Sequence, residues 1–315
     1  MLVKHNDVLI RVPDFLIVGA ARSGTTTIYS YLSKHPKIFM PKQKEPMFFC
    51  AYGQGPFYVD LKTKKKALFI VSELKEYLKL FRSADNTQLI GEASTWYLYH
   101  YQLTIQNLKK IYGEKVNDLK IIIILRNPVE RAWSHYSLKK RYGEEQLEFE
   151  QAIHPETIQH RIDNHLVLGF DYIGIGKYYN QVKAYKENFE HVIILLFEEL
   201  IENIPGGISE ILQFLGVEGL NFYKKEKKLN VSGKPKNKIA AILDKLIFRP
   251  NVLKSFLKLF MPFKVRRDLK YSIGHKILTK ESLSKKQRQA LVDIYKEDIL
   301  QLGKLIDKDL SNWLQ

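Results

Sequence analysis

Four isoleucines in a row, Ile121 to Ile124, sit inside the run Lys120-Ile121-Ile122-Ile123-Ile124-Leu125. A strand that is apolar on both faces must be covered on both faces, which is the situation of strands in parallel sheets. Asn127 and Pro128 follow, the first suited to cap a helix and the second to occupy its first turn. Phe15 to Val18 is another short apolar run, ending at Gly19, and Thr25 to Leu32 then reads as a helix. His35-Pro36 stops that helix, because proline disfavours helical geometry in the residue before it. Thr87–Gly91 and His191–Phe197 are two more strand candidates, with helical patterns between the strands. This alternation implies an α/β protein: a P-loop-like three-layer fold with a mostly parallel central sheet flanked by helices. The 315 residues suffice for a single domain over 1–315, with a basic helical segment around 239–275 and a C-terminal helix around 284–310.

Composition narrows the function classes. No stretch approaches the roughly 20 apolar residues of a membrane span. Met1 to Val12 lacks the order of a signal peptide, so a cytoplasmic protein is expected. Cys50 is the only cysteine, which removes intrachain disulfides and cysteine-rich zinc sites, and the nine histidines show no ligand spacing. No metal is expected. The net charge is +16, and Lys224 to Lys270 alone holds 15 Lys and Arg against 3 Asp and Glu. Such a surplus suits anionic partners. Lys254 to Phe263 mixes cations with apolar groups, as interfacial helices do, although helical spacing favours a packed helix with its lysines outward. The 224–270 region is therefore expected to make any peripheral contact with a polyanion or the inner face of a membrane; no nucleic acid is expected.

Gly19-Ala20-Ala21-Arg22-Ser23-Gly24-Thr25-Thr26 lies between a strand and a helix. Glycines there let the backbone turn, amide groups point at an anion, and the helix dipole favours negative charge. The pattern resembles G-x-x-x-x-G-K-[ST] but has Thr25 in place of the lysine. The strand of isoleucines ends in Leu125-Arg126, where an ATPase would want an aspartate to organise magnesium. Arginine at that place binds phosphate directly. Arg126 lies at the carboxyl end of its strand, where open α/β sheets bind ligands, and Ser134 lies about two turns into the next helix. A guanidinium fork and a hydroxyl can hold one phosphate.

With both segments in view, the chain resembles the 3′-phosphoadenosine-5′-phosphosulfate (PAPS)-dependent sulfotransferases. Phe15 to Leu32 resembles their 5′-phosphosulfate loop, and Ile121 to Tyr136 their 3′-phosphate element, R-N-P-x-E-R-A-x-S-x-Y. Lys44-Glu45-Pro46-Met47-Phe48-Phe49 resembles K-E-P-H-F-F, and Gly91 to Leu98 resembles G-E-x-S-x-x-Y-L, both of the carbohydrate (heparan-sulfate-like) and bacterial branch. Gly176-Lys177-Tyr178 with Gln181-Val182, Phe197 to Leu200, and Asn230 to Pro235 resemble later landmarks, so the likeness spans about Val12 to Lys238. It implies that Ser23, Gly24, Thr25 and Thr26 hold the 5′-phosphosulfate and that Arg126 and Ser134 hold the 3′-phosphate. Ser232, Gly233 and Lys234 would complete the nucleotide pocket, and Lys44, Glu92, Tyr97 and Tyr178 would face the acceptor. Glu45 would be the general base. Two departures stand out: Arg22 replaces the usual loop lysine and Met47 replaces the histidine of K-E-P-H-F-F. Arginine keeps the charge without giving up its proton, so Arg22 would stabilise the leaving phosphate electrostatically.

The expected reaction moves a sulfuryl group from PAPS to a hydroxyl or amine acceptor, a glycan or other small compound, leaving adenosine 3′,5′-bisphosphate. Glu92 competes with Glu45 as base, while His35 reads as a helix-end residue hydrogen-bonded locally. The rival readings are a divergent P-loop kinase or ATPase, and a basic protein that binds nucleic acid or membrane.

Overall fold

The structure is a computed structural model that describes residues 1–53, 70–166, 169–218, 234–237, 240, 278–279 and 282–315. The chain opens with an antiparallel hairpin, β1 (Leu2–His5) and β2 (Val8–Arg11), which the sequence reading left unassigned. β3 (Phe15–Gly19) leads into α1 (Thr25–Leu32), and β4 (Ile38–Phe39) into α2 (Phe48–Ala51). After α3 (Leu74–Lys79) come β5 (Leu89–Ala93), α4 (Trp96–Tyr99) and α5 (Tyr101–Tyr112). β6 (Lys120–Leu125) feeds α6 (Pro128–Tyr142), followed by α7 (Phe149–Ala152), α8 (Pro155–Asp163) and α9 (Tyr178–Asn188). β7 (His191–Leu196) leads to α10 (Phe197–Glu202) and α11 (Ile204–Leu215). A short pair, β8 (Lys234–Pro235) and β9 (Leu278–Thr279), precedes the last helix, α12 (Lys285–Ile306).

Five strands form one all-parallel sheet in the order β4-β5-β3-β6-β7. The isoleucine run behaves as its composition requires. Ile121, Ile123 and Leu125 join Leu16 and Val18 in the core on one face; Ile122 and Ile124 join Phe15 and Ile17 on the other. Helices cover both faces, giving the three-layer α/β architecture. The carboxyl ends of all five strands share one edge, and the chain leaves each of them into a candidate site segment.

Local chemistry sets the helix starts there. Asn127 Oδ1 accepts from the Val129 amide at 3.0 Å and the Glu130 amide at 3.4 Å, with Pro128 in the first turn of α6. Gly24 opens α1 at φ 81, and no side chain caps that helix. Ser284 caps α12 in a capping box with Gln287.

Some boundaries moved. β5 starts at Leu89, not Thr87, because Asp85 accepts from the Thr87 amide at 3.0 Å and holds the preceding residues in a turn. Phe197 opens α10 and does not extend β7, and α12 ends at Ile306. Ser232, Gly233 and the basic segment around 239–275, apart from Ala240, lie outside the described residues.

Phe15 stands directly opposite Gly91 across the β3–β5 pair. A methyl group on Gly91 would sit 2.1 Å from Phe15 Cζ and 2.5 Å from Met40 Sδ. Gly91→Ala is expected to destabilise the fold by about 1–3 kcal/mol through overpacking, read by urea denaturation. Wild-type stability would mean that the Phe15 ring is free to yield.

Candidate active site

The loop after β3 carries its charge into the interior. Arg22 adopts φ 73 and directs its guanidinium at α6, where Nε (3.3 Å) and Nη2 (3.1 Å) both donate to Ser134 Oγ. Arg126, at the end of β6, donates from Nη1 to the Arg22 carbonyl at 3.1 Å, and its guanidinium lies 4.9 Å from the centre of the Phe197 ring. Burial, and then the Arg126 charge, pushes the Arg22 guanidinium down to about 10, which still leaves it charged at neutral pH. The two phosphate-binding segments expected from sequence are thus joined, with Arg22 and Ser134 making the direct contact.

A buried polar cluster lies behind this pair. The Ser23 and Tyr178 hydroxyls are both buried and have no hydrogen-bond partner beyond each other. Burial pushes the Tyr178 phenol up to about 12, against the pull of Arg131, Arg126 and the Ser23 hydroxyl beside it. Tyr178 therefore lies within reach of the arginine charges. Asp298 of α12 holds it there by accepting from the Tyr178 amide at 2.8 Å and the Tyr179 amide at 3.2 Å, at the start of α9. Nothing in the sequence pairs Asp298 with Tyr178, which lie 120 residues apart. A buried hydroxyl pair with no further partner, an uncapped helix start and two neighbouring guanidinium groups fit an anionic group with several oxygens. Gly24 allows the Phe197 ring to pack closely on the loop: a Cβ there would meet that ring at 2.9 Å.

The loop after β4 approaches the same helix start. Lys44 Nζ donates to Thr26 Oγ1 at 2.9 Å, Thr25 Oγ1 at 3.4 Å and Glu45 Oε1 at 3.2 Å. The Glu45 side chain is 32% exposed, so it stays open to the cleft. Glu45 and Met47 both take left-handed backbone, at φ 58 and 59. The Glu45 amide donates to the Ala93 carbonyl at 3.0 Å and the Met47 amide to Ser94 Oγ at 3.0 Å. The Met47 side chain is fully buried, so the residue replacing histidine anchors the loop in the core.

Two residues expected at the acceptor are enclosed instead. Glu92 and Tyr97 are fully buried, and the Tyr97 hydroxyl donates to Glu92 Oε2 at 2.6 Å, with Tyr77 donating at 3.2 Å. Their positions face inward because the end of β5 is covered by α2, α3 and α4, an arrangement invisible in local sequence. Neither is exposed to the cleft as Glu45 is. His35 sits at the far end of α1: its Nδ1 accepts from the Lys37 amide and its Nε2 lies 3.1 Å from the Glu218 carbonyl. Lys234 falls in β8, and the structure describes its backbone only. Among the described residues no three His, Cys, Asp or Glu side chains gather as a metal site, and no helix is long and apolar enough to cross a membrane.

A glycine-turned loop that carries Arg22 on an all-parallel sheet, met by Arg126 from the neighbouring strand end, defines a P-loop-like fold. The chain belongs to the sulfotransferase family: the family model described as a sulfotransferase domain matches residues 12–249. It is 30% identical over 155 residues to the membrane-associated sulfotransferase kil1 of Dictyostelium discoideum, covering 47% of this chain and 29% of that protein. It is 25% identical over 216 residues to heparan sulfate glucosamine 3-O-sulfotransferase 6 of Mus musculus, covering 66% of this chain and 53% of that protein. The chain therefore spans about half or less of the length of these two relatives. A crystal structure of a sulfotransferase from Alicyclobacillus acidocaldarius matches with a TM-score of 0.69 at 27% identity, over 97% of this chain and 100% of that one.

The enclosed carboxyl gives the site a testable pH signature. Burial lifts Glu92 from 4.5 to about 7, against hydrogen bonds from Tyr97, Ser94 and Tyr77, with the Glu45 charge adding to the lift. The folded protein then keeps a proton that the unfolded chain releases. The stabilisation this provides is fully present below 4.5 and is lost as pH rises toward about 7. Glu92→Gln, which stays neutral, is expected to gain on the wild type by about 3 kcal/mol between pH 4.5 and 8 in urea denaturation. Parallel stability–pH curves for the two proteins would show that Glu92 ionises without penalty.

Proposed function

We propose that the protein transfers the sulfuryl group of PAPS to a hydroxyl, or an amine, of a carbohydrate acceptor, releasing adenosine 3′,5′-bisphosphate. The observation that carries this reading is the direct tie between Arg22 and Ser134 beside the buried Ser23 hydroxyl. It gathers donors from two phosphate-binding segments into one anion-binding cleft. A nucleotide with phosphates at both its 5′ and 3′ positions suits two such segments. Ser23, Gly24, Thr25 and Thr26 cradle the 5′-phosphosulfate, and Arg126 and Ser134 serve the 3′-phosphate. Ser232, Gly233 and Lys234 would complete the nucleotide pocket. The similarity to a heparan sulfate sulfotransferase and the net charge of +16 support an acidic glycan as acceptor. The 15 cations of 224–270 would bring such a polyanion, or an anionic surface carrying it, to the cleft.

PAPS supplies an activated sulfuryl group whose leaving group is a phosphate. The acceptor oxygen forms a bond to sulfur, the bond from sulfur to the bridging phosphate oxygen breaks, and that electron pair stays on the phosphate. Glu45 takes the acceptor's proton, which a half-exposed carboxylate beside the cradle can reach. Arg22 and the start of α1 offset the negative charge that grows on the phosphate. Holding both reactants in line supplies much of the rate.

The test follows labelled sulfuryl from PAPS into a panel of glycans and small alcohols or amines. Glu45→Gln is expected to lower kcat by about 10²–10⁴-fold, the usual worth of a positioned base. Transfer at the wild-type rate in that variant would remove Glu45 as base, and no transfer from PAPS to any acceptor by the wild type would count against the reaction.

A further inference from the structure

We propose that Lys44 is the cation that hydrogen-bonds the leaving phosphate, restoring from the β4 loop the ammonium that the cradle itself lacks. The inference rests on the PAPS reading above and goes beyond it, because it names a residue outside the cradle sequence and moves this contact away from Arg22.

Among the described residues, Arg22, Arg126 and Lys44 reach the cleft, and the first two are already committed elsewhere. Arg22 spends Nε and Nη2 on Ser134 Oγ, so its fork points at α6. Arg126 spends Nη1 on the Arg22 carbonyl and packs on Phe197. Only Lys44 stands at the start of α1, on the hydroxyls of Thr25 and Thr26. Thr25 occupies the cradle position where a P-loop carries its lysine. The ammonium therefore returns to the same helix start, delivered by a different strand end.

The loop is built to hold it there. Its backbone is pinned to β5 through the Glu45 amide and to Ser94 through the Met47 amide, and the Val71 amide donates to the Pro46 carbonyl at 2.9 Å. The Tyr29 hydroxyl of α1 donates to the Pro41 carbonyl just upstream. Two left-handed residues flanking Pro46 turn the chain while the buried Met47 anchors it. Lys44 is only 20% exposed, so its charge acts where water screening is reduced.

Its pairing with Glu45 couples the two ends of the reaction. Before transfer, the ammonium lies 3.2 Å from Glu45 Oε1. As the acceptor's proton reaches Glu45, that carboxylate loses its charge and its hold on Lys44. In the same step the sulfur–oxygen bond breaks and the phosphate oxygen gains a charge. Lys44, a compact charge with three rotatable donors on a flexible stem, can turn from one to the other. A planar guanidinium forked onto Ser134 cannot do so without giving up that contact.

The experiment uses the full chain, with release of bisphosphate from PAPS as one readout and calorimetric titration with two nucleotides as the other. Lys44→Ala is expected to lower PAPS turnover by about 10²–10³-fold, as loss of one oxyanion donor does. It should weaken adenosine 3′,5′-bisphosphate by about 10–10²-fold, the worth of a charged hydrogen bond. Adenosine 3′-monophosphate, which lacks the 5′-phosphate, should bind Lys44→Ala and wild type equally, and added ethylammonium should restore part of the lost turnover. Equal weakening of both nucleotides would assign Lys44 a merely structural role and overturn the proposal, as would unchanged turnover. Lys44→Arg, which keeps the charge, should retain more turnover than Lys44→Ala; the reverse order also overturns it. Failure of the wild type to bind either nucleotide would instead overturn the PAPS reading on which the proposal stands.

Discussion

Burial of β3 and β6 on both faces is the constraint from which the rest of the protein follows. Strands that are apolar above and below need helices on both sides, and a parallel sheet supplies them through its crossovers. A parallel sheet also brings every carboxyl end to one edge. Gly19 to Thr26, Lys44 to Met47, Ser94, Arg126 and Phe197 are separated by up to 178 residues, yet they leave five neighbouring strands side by side. The core thus determines where the chemistry gathers.

At that edge the problem is to keep several positive charges close together, with the Glu130 and Glu198 carboxylates opposing Arg126 only in part. Burial lowers the tendency of both Arg22 and Arg126 to stay protonated, and the Arg126 charge adds to this at Arg22. The protein offsets the cost by hydrogen bonds to a hydroxyl and a carbonyl, which carry no full negative charge. That leaves the positive potential available to a ligand. Glu45 pairs directly with Lys44 in the free protein, which makes that pair the natural point of exchange when an anion enters.

Much of this was legible in the sequence because it depends on local chemistry. The isoleucine run, the glycines of the cradle and the Asn127-Pro128 helix start each dictate their own conformation. The residues of the two phosphate segments could be named for the same reason. What could not be read depends on contacts distant in sequence. Glu92 and Tyr97 sit beside Ser94 in an ordinary strand-to-helix motif, but α2 and α3 cover them, so a polar pair that looked available is enclosed. Lys44 looked like an acceptor contact until β4 took its place next to β5 and set the ammonium on Thr26. Asp298, 120 residues after Tyr178, has no local pattern pointing to the amide it caps.

Calorimetric titration of the wild type with adenosine 3′,5′-bisphosphate in EDTA, beside ATP with and without magnesium, addresses the cleft most directly. A metal-independent preference for the bisphosphate, lost in Arg126→Ala, is the result that two arginine-served phosphate segments require. Indifference to the bisphosphate, with ATP binding that depends on magnesium, would contradict it and mark the cradle as that of a divergent P-loop enzyme.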